Sequence, residues 1–214
     1  MRAYRALAYR TAFVAGLSLF SGVASALSFG VGPLGGLNLG GSSFDAPSGM
    51  TMKSEMRSGL ALGARAELGV TKPYSLLLEP MYLQRADVET MDMLGLSFKS
   101  EVQTNYLELP VLAKAKFGAM KAHAYVFAGP SLGIFLNGES KTGGVTKDVD
   151  SVSTLNVSGE VGACGSYQVQ KFVYLNLDAR YAYGFTNAND KNDKITWKHQ
   201  DIRIMACVLF HLTE

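Results

Sequence analysis

The feature that most constrains this chain is alternation. In residues 173–185, Val173, Leu175, Leu177, Ala179, Tyr181, Tyr183 and Phe185 fall on one side of an extended chain. Tyr174, Asn176, Asp178, Arg180, Ala182 and Gly184 fall on the other. Successive side chains of a strand point to opposite faces, so this stretch has one apolar face and one mostly polar or small face. Residues 201–212 repeat the pattern, with Ile202, Ile204, Ala206, Val208, Phe210 and Leu212 opposing Asp201, Arg203, Met205, Cys207, Leu209 and His211. Residues 60–70 do so again, Leu60, Leu62, Ala64, Ala66, Leu68 and Val70 opposing Ala61, Gly63, Arg65, Glu67 and Gly69.

Eight such segments are expected, at 27–40, 58–70, 74–86, 102–117, 122–137, 153–167, 173–186 and 197–212. Each exceeds the about 9–11 residues with which a tilted strand crosses a bilayer. The connections alternate in length: 71–73, 118–121 and 168–172 are short, whereas 41–57, 87–101, 138–152 and 187–196 are long and polar. Short turns on one side and long loops on the other mark an outer-membrane barrel. The expected fold is all-β, an eight-stranded antiparallel transmembrane β-barrel with both termini at the periplasmic side.

Composition decides between lipid and water. Of 214 residues, 48% are hydrophobic and 18% charged, below the about 25% charged of an average soluble domain. Disordered, coiled-coil and nucleic-acid-binding classes are excluded on that ground. A soluble lipocalin-like barrel would bury apolar side chains and hydrate the polar ones. With these faces it would either show water a continuous apolar belt or, inverted, bury a dozen charges in a dry core. In hydrocarbon the same pattern is satisfied by closure, because each backbone N–H and C=O then finds a partner. Tyr74, Tyr183, Phe185, Trp197 and Phe210 stand near expected strand ends, as interfacial aromatic girdles do.

The N-terminus reads as an address. Arg2, Arg5 and Arg10 precede an apolar stretch at 11–23 and the small residues Ala24-Ser25-Ala26. That is a secretory signal, too short to span a bilayer. The expected organisation is a cleavable signal peptide at 1–26 and a barrel domain at 27–214. Loss of the three arginines would turn the formal charge from +2 to −1.

Twelve charges fall on the face expected to line the lumen: Arg65, Glu67, Glu79, Arg85, Glu108, Lys114, Lys116, Glu160, Asp178, Arg180, Asp201 and Arg203, six of each sign. An eight-stranded bore is only wide enough to be filled by side chains, so these charges should interdigitate as a plug. A narrow pore or proton path is the alternative function for such a set. His123 and His211 are expected near the periplasmic rim and His199 near the outer rim. Their spacing matches no zinc motif. His199 and Asp201 share a face, which leaves open a lipid-modifying enzyme whose Ser would come from loop 138–152, although no nucleophile motif accompanies them. Cys164 and Cys207 face inward one strand apart, about 10 Å by strand spacing, which favours free thiols over a bridge. Pro33, Pro80, Pro110 and Pro130 lie inside expected strands, where a residue without N–H belongs at a bulge. Mixed charges such as Asp45, Lys53, Glu55, Arg57, Asp148 and Lys191 populate the expected loops, where partners would bind.

Several stretches resemble the PorT-related family of small outer-membrane β-barrels of the Bacteroidetes type. They are GVGPLGGLNLG (30–40), YLELPVLAKAKF (106–117), AYVFAGPSLG (124–133) and LDARYAYG (177–184). The resemblance runs in order through nearly all of 27–214. It implies an outer-membrane location, contact with outer-membrane lipid, insertion by the barrel assembly machinery, and an accessory role beside secretion-system proteins. The combined expectation is a non-enzymatic structural or interaction barrel without metal, cofactor or nucleic acid.

Overall fold

The computed structural model describes residues 28–45, 50–71, 73–93, 96–118, 121–149, 152–187 and 196–212. The expected signal peptide lies outside these residues, as do Asp150, Asp190, Lys191, Asp193 and Lys194 of the expected loops. Among the described residues ten antiparallel strands form one sheet: β1 (Phe29–Asp45), β2 (Met50–Thr71), β3 (Tyr74–Leu78), β4 (Met81–Met93), β5 (Leu96–Phe117), β6 (Ala122–Thr142), β7 (Val145–Asp148), β8 (Leu155–Gln170), β9 (Val173–Gly184) and β10 (Thr196–His211).

The count differs from the eight expected, for two physical reasons. Segment 74–86 breaks at Glu79-Pro80, where Pro has no N–H to donate, so β3 and β4 are separate strands. Both still pair with β2 on one side and β5 on the other. Hydrogen bonds across the break persist: Ala64 N donates to Pro80 O at 3.1 Å and Glu79 N to Pro110 O at 3.1 Å. The tenth strand, β7, is a four-residue arm folded onto β6 within a stretch expected to be loop. Expected loops 41–57, 87–101 and 138–152 are in fact largely strand. Their mixed Lys, Glu, Thr and Ser composition reads as loop, yet ladder hydrogen bonds belong to the backbone and are indifferent to it.

The remaining ladders run β4–β5, β5–β6, β6–β8, β8–β9, β9–β10 and β10–β1, so the last strand pairs with the first. Pro33 and Pro130 sit beside glycines at gaps in this ladder. The β1–β10 register passes from Val31↔Phe210 to Leu34↔Cys207, and a Cβ on Gly32 would lie 1.8 Å from Val208 O. The β5–β6 register passes from Pro110↔Ser131 to Ala113↔Ala128, and a Cβ on Gly129 would lie 2.1 Å from Val111 O. In both places glycine lets two backbones approach where proline leaves the ladder.

Burial follows the alternation. On β9, Asn176, Asp178, Arg180 and Ala182 are buried while Leu175, Leu177, Ala179 and Tyr181 are exposed. The exposed face is apolar around the sheet, with Leu37, Leu62, Leu107, Val126, Leu132, Val161, Ile204 and Leu177 at 38% exposure or more. It turns polar at one end of the strands. On β2 the outward Leu62 and Leu60 give way, across a bulge between Arg57 and Ala61, to exposed Arg57, Glu55 and Lys53. Between β5 and β6 the change falls at Asn105, whose Nδ2 donates to Asn137 Oδ1 at 2.6 Å.

Candidate functional site: a buried ionic lattice

Eleven of the twelve charges expected on the inner face are buried there. Lys116 is the correction: it is exposed next to Phe117, at the strand end where an ammonium stays hydrated. The buried set therefore holds five bases and six acids, a formal charge of −1, and the balanced six-and-six expectation does not hold.

Nine of these residues form one lattice with a simple connectivity. Arg65 and Arg180 share Glu79 and Asp178. Arg65 Nη2 reaches Asp178 Oδ2 at 2.6 Å, Arg180 Nη1 reaches Glu79 Oε2 at 2.6 Å, and Arg180 Nη2 reaches Asp178 Oδ1 at 2.8 Å. Arg65 Nε also donates to Glu79 Oε1. Arg85 and Arg203 share Glu108 and Asp201 in a second ring. Arg85 Nε and Arg203 Nη2 both donate to Asp201 Oδ2, at 2.8 and 2.9 Å. Arg85 Nη2 donates to Glu108 Oε1, whereas Arg203 Nη1 lies 2.9 Å from Glu108 Oε2 as an ion pair without hydrogen-bond alignment. Glu160 joins the rings, accepting from Arg203 Nη1 at 2.8 Å and Arg180 Nη1 at 3.2 Å. The lattice ties together β2, the β3–β4 break, β4, β5, β8, β9 and β10.

Arginine suits this position because its planar fork serves two carboxylates at once. The stack is extended by aromatic rings: Arg180 lies over Phe127 at 4.9 Å, Arg85 over Tyr106 at 4.7 Å, and Arg65 Nη1 donates to Tyr125 OH at 2.9 Å. Lys114 and Glu67 make a separate pair at 2.8 Å, with the Lys114 ammonium 3.9 Å above the Tyr125 ring. Two apolar clusters share this inner face, one around Leu34, Leu83, Met205 and Leu209, the other around Leu77, Leu112 and Phe127. The inner face of the sheet thus carries packed ionic and apolar side chains together.

His199 was expected at the outer rim, available to a reaction with Asp201. At that end of β10 it is buried, 3.1 Å from Tyr106 OH and edge-on against Tyr106 and Trp197, while Asp201 is engaged by Arg85 and Arg203. Trp197 was expected in a lipid-facing girdle, but its Nε1 donates inward to Ser42 Oγ at 2.7 Å. Cys164 and Cys207 are both buried and free.

Beyond the lattice, toward the polar end, lies a cluster the sequence reading missed. Buried Asp87 accepts from Ser42 Oγ and, at 3.1 Å, from Ser54 Oγ. The alternation Leu83, Arg85, Asp87 carries this position inward, but the expected loop boundary at 87 concealed it. Burial, reinforced by the Asp87 carboxylate, raises the neighbouring Glu89 carboxyl to about 7. A carboxyl raised in the folded state contributes stability below its ordinary range, and that contribution is lost as pH rises through the raised value. Wild type should therefore lose stability relative to Glu89→Gln between about pH 4.5 and 7, read from urea unfolding across that range. Parallel pH profiles for the two proteins would refute the assignment.

A one-sided apolar sheet whose last strand returns to its first, with charge held inside, defines a membrane β-barrel. Comparison with known proteins agrees. The sequence profile described as outer membrane protein beta-barrel domain matches residues 20–190. The chain belongs to that family and resides in the outer membrane. The outer membrane protein OprG from Pseudomonas aeruginosa shares the fold at a TM-score of 0.55 and 12% identity, over 88% of this chain and 97% of that one. Neisserial surface protein A aligns at 0.49 and 14% identity, over 84% and 96%. Ail, the attachment invasion locus protein of Yersinia pestis, aligns at 0.40 and 12%, over 85% and 98%. No curated protein matches the sequence.

Proposed function

We propose that the chain is a non-enzymatic outer-membrane barrel of eight staves whose lumen is sealed by the ionic lattice, and whose role is structural or interactive through its extracellular arms. Counting β3 with β4 as one broken stave, and β7 as an arm on β6, supports the number eight, and the β10–β1 ladder supports closure. Residues 1–26 act as the export signal and 27–214 as the barrel domain.

The observation that carries the proposal is the span of the lattice. Arg65 on β2 reaches Asp178 on β9, and Arg203 on β10 reaches Glu108 on β5, so the plug crosses the bore in more than one direction. Purified protein in a planar bilayer should show no stable open channel. A large ohmic conductance would overturn the sealed reading and revive transport. In the same orientation, an epitope placed at Gly143-Gly144, the turn between β6 and β7, should be labelled on intact cells, and one at 118–121 should not. The opposite pattern would invert the topology.

The finer kinship to PorT-related barrels, and with it an accessory place beside a secretion machine, rests on the stretches at 30–40, 106–117, 124–133 and 177–184. Co-purification of secretion-system proteins from membranes, and retained cargo in a deletion strain, would support it; unaltered secretion would remove it.

A further inference from the structure

We propose that the short-turn end of the inner face binds a phosphate-class oxyanion. Two connected cavities lie there. The outer one holds about 430 Å³, with Pro73, Gly118 and Lys171 of the turns at its edge. The inner one holds about 40 Å³, room for an oxygen-sized group but not for a whole ligand. Glu67, Lys116, Tyr174 and His211 line both, so the two form one passage that narrows away from the turns.

The charge on its walls is one-sided. Three ammonium groups, those of Lys114, Lys116 and Lys171, face a single carboxylate. That carboxylate, Glu67, gives both oxygens to Lys114, at 2.9 and 2.8 Å. Lys116 is exposed and has no ion-pair partner among the described residues. Two imidazoles join the cations. The Tyr174 ring sits between His123 and His211, with centroids 5.8 and 4.8 Å away.

A second observation points to an acceptor. At the inner cavity, Asn176 is 4% exposed, and its Nδ2 has no hydrogen-bond acceptor among the described residues; nor has His123 Nδ1 a partner. Buried polar groups are nearly always paired, and an amide donor left unmade is costly. One oxygen seated in the inner cavity would accept from Asn176, and from His123 in the tautomer protonated at Nδ1, while Lys116 offsets its charge. The polar groups come from β5, β6, β9 and β10. Donors converging from four strands suit a tetrahedral oxyanion with three or four oxygens better than a planar carboxylate with two. A phosphate ester and an anionic phospholipid headgroup both present that group. That the site faces the periplasm rests on the topology proposed above; the chemistry of the passage does not.

Inorganic phosphate is the probe, titrated by calorimetry into full-length protein folded in detergent at constant chloride. Wild type should bind one equivalent saturably, and Lys116→Gln and Asn176→Leu should each weaken it about tenfold or more. Lys121→Gln removes an exposed ammonium from the neighbouring turn, outside both cavities, and should leave the affinity unchanged. Retained heat-modifiable gel mobility confirms folding, and the exposed Lys116 keeps the test available if Asn176→Leu does not fold. Nanodiscs with and without phosphatidylglycerol in phosphatidylcholine separate the sources. Phosphate uptake suppressed by phosphatidylglycerol assigns the passage to the headgroup, and undiminished uptake assigns it to free phosphate. No saturable uptake, or equal weakening by Lys116→Gln and Lys121→Gln, overturns the proposal and leaves a diffuse basic rim. Acetate bound as tightly as phosphate overturns it in favour of a carboxylate ligand.

Discussion

Arg180→Met should destabilise the folded barrel by about 3–5 kcal/mol, the cost of breaking a buried ionic group and leaving its partners charged. Arg180 connects its ring to the bridging Glu160, contacting Glu79, Asp178 and Glu160. Its loss leaves those three carboxylates to Arg65 and Arg203 alone, in a region that water cannot readily enter. The measurement is equilibrium urea unfolding in lipid vesicles. Glu160→Leu on its own should also be costly, because Arg180 and Arg203 each lose a partner. The double variant Arg180→Met/Glu160→Leu should cost less than the sum of the two, since it removes charges of opposite sign together. Strict additivity would mean that the lattice is a set of independent contacts and not a coupled unit. A loss under about 1 kcal/mol, the range of an exposed pair, would mean that water reaches Arg180 and that the lumen is open.

The second large effect separates a lipid-facing surface from a water-facing one. Leu177 and Leu212 are equally exposed, at 62% each. Leu177 lies within β9 in the apolar band, and Leu212 just past the end of β10. In water, arginine at two equally exposed sites should change stability little at either one. In a bilayer, Leu177→Arg near the middle of the band should cost roughly 2–4 kcal/mol, whereas Leu212→Arg at the edge should cost about 0–1 kcal/mol. Unfolding of both variants from vesicles gives the difference directly. Equal penalties would contradict the assignment of the exposed apolar face to lipid.

Much of this molecule was legible in its residues before any fold was known. Period two along 60–70, 173–185 and 201–212 is a local property, because the side-chain direction of an extended chain depends only on position parity. It identified the buried and exposed faces of β2, β9 and β10 correctly, and it placed eleven charges inside. Short connections at 71–73 and 118–121 were legible for a related reason: an apolar pattern that stops and restarts within a few residues leaves room only for a tight turn. The parity rule failed where a neighbouring strand, rather than the segment itself, determined the outcome. Strand extensions such as 50–57 and 87–93 interleave charged and hydroxyl side chains with their apolar positions, and they are strands because β2, β4 and β5 offer each other backbone partners beyond the apolar band.

The candidate site divides in the same way. The sequence by itself determined which side chains share the interior, since parity and the cost of a charge in hydrocarbon leave no other place for Arg65, Glu79, Glu108 or Arg203. It could not determine who pairs with whom. Arg65 and Asp178 are 113 residues apart, and they meet because the strand order places only β1 and β10 between β2 and β9. Lys116 obeys the same parity yet stays exposed, because its height along the barrel, not its face, decides whether water can reach it. Tertiary structure alone made a list of inward charges into two rings joined by Glu160: ion pairing falls off over a few ångströms, and only the pairing order of the strands sets distances that small between residues so far apart in the chain.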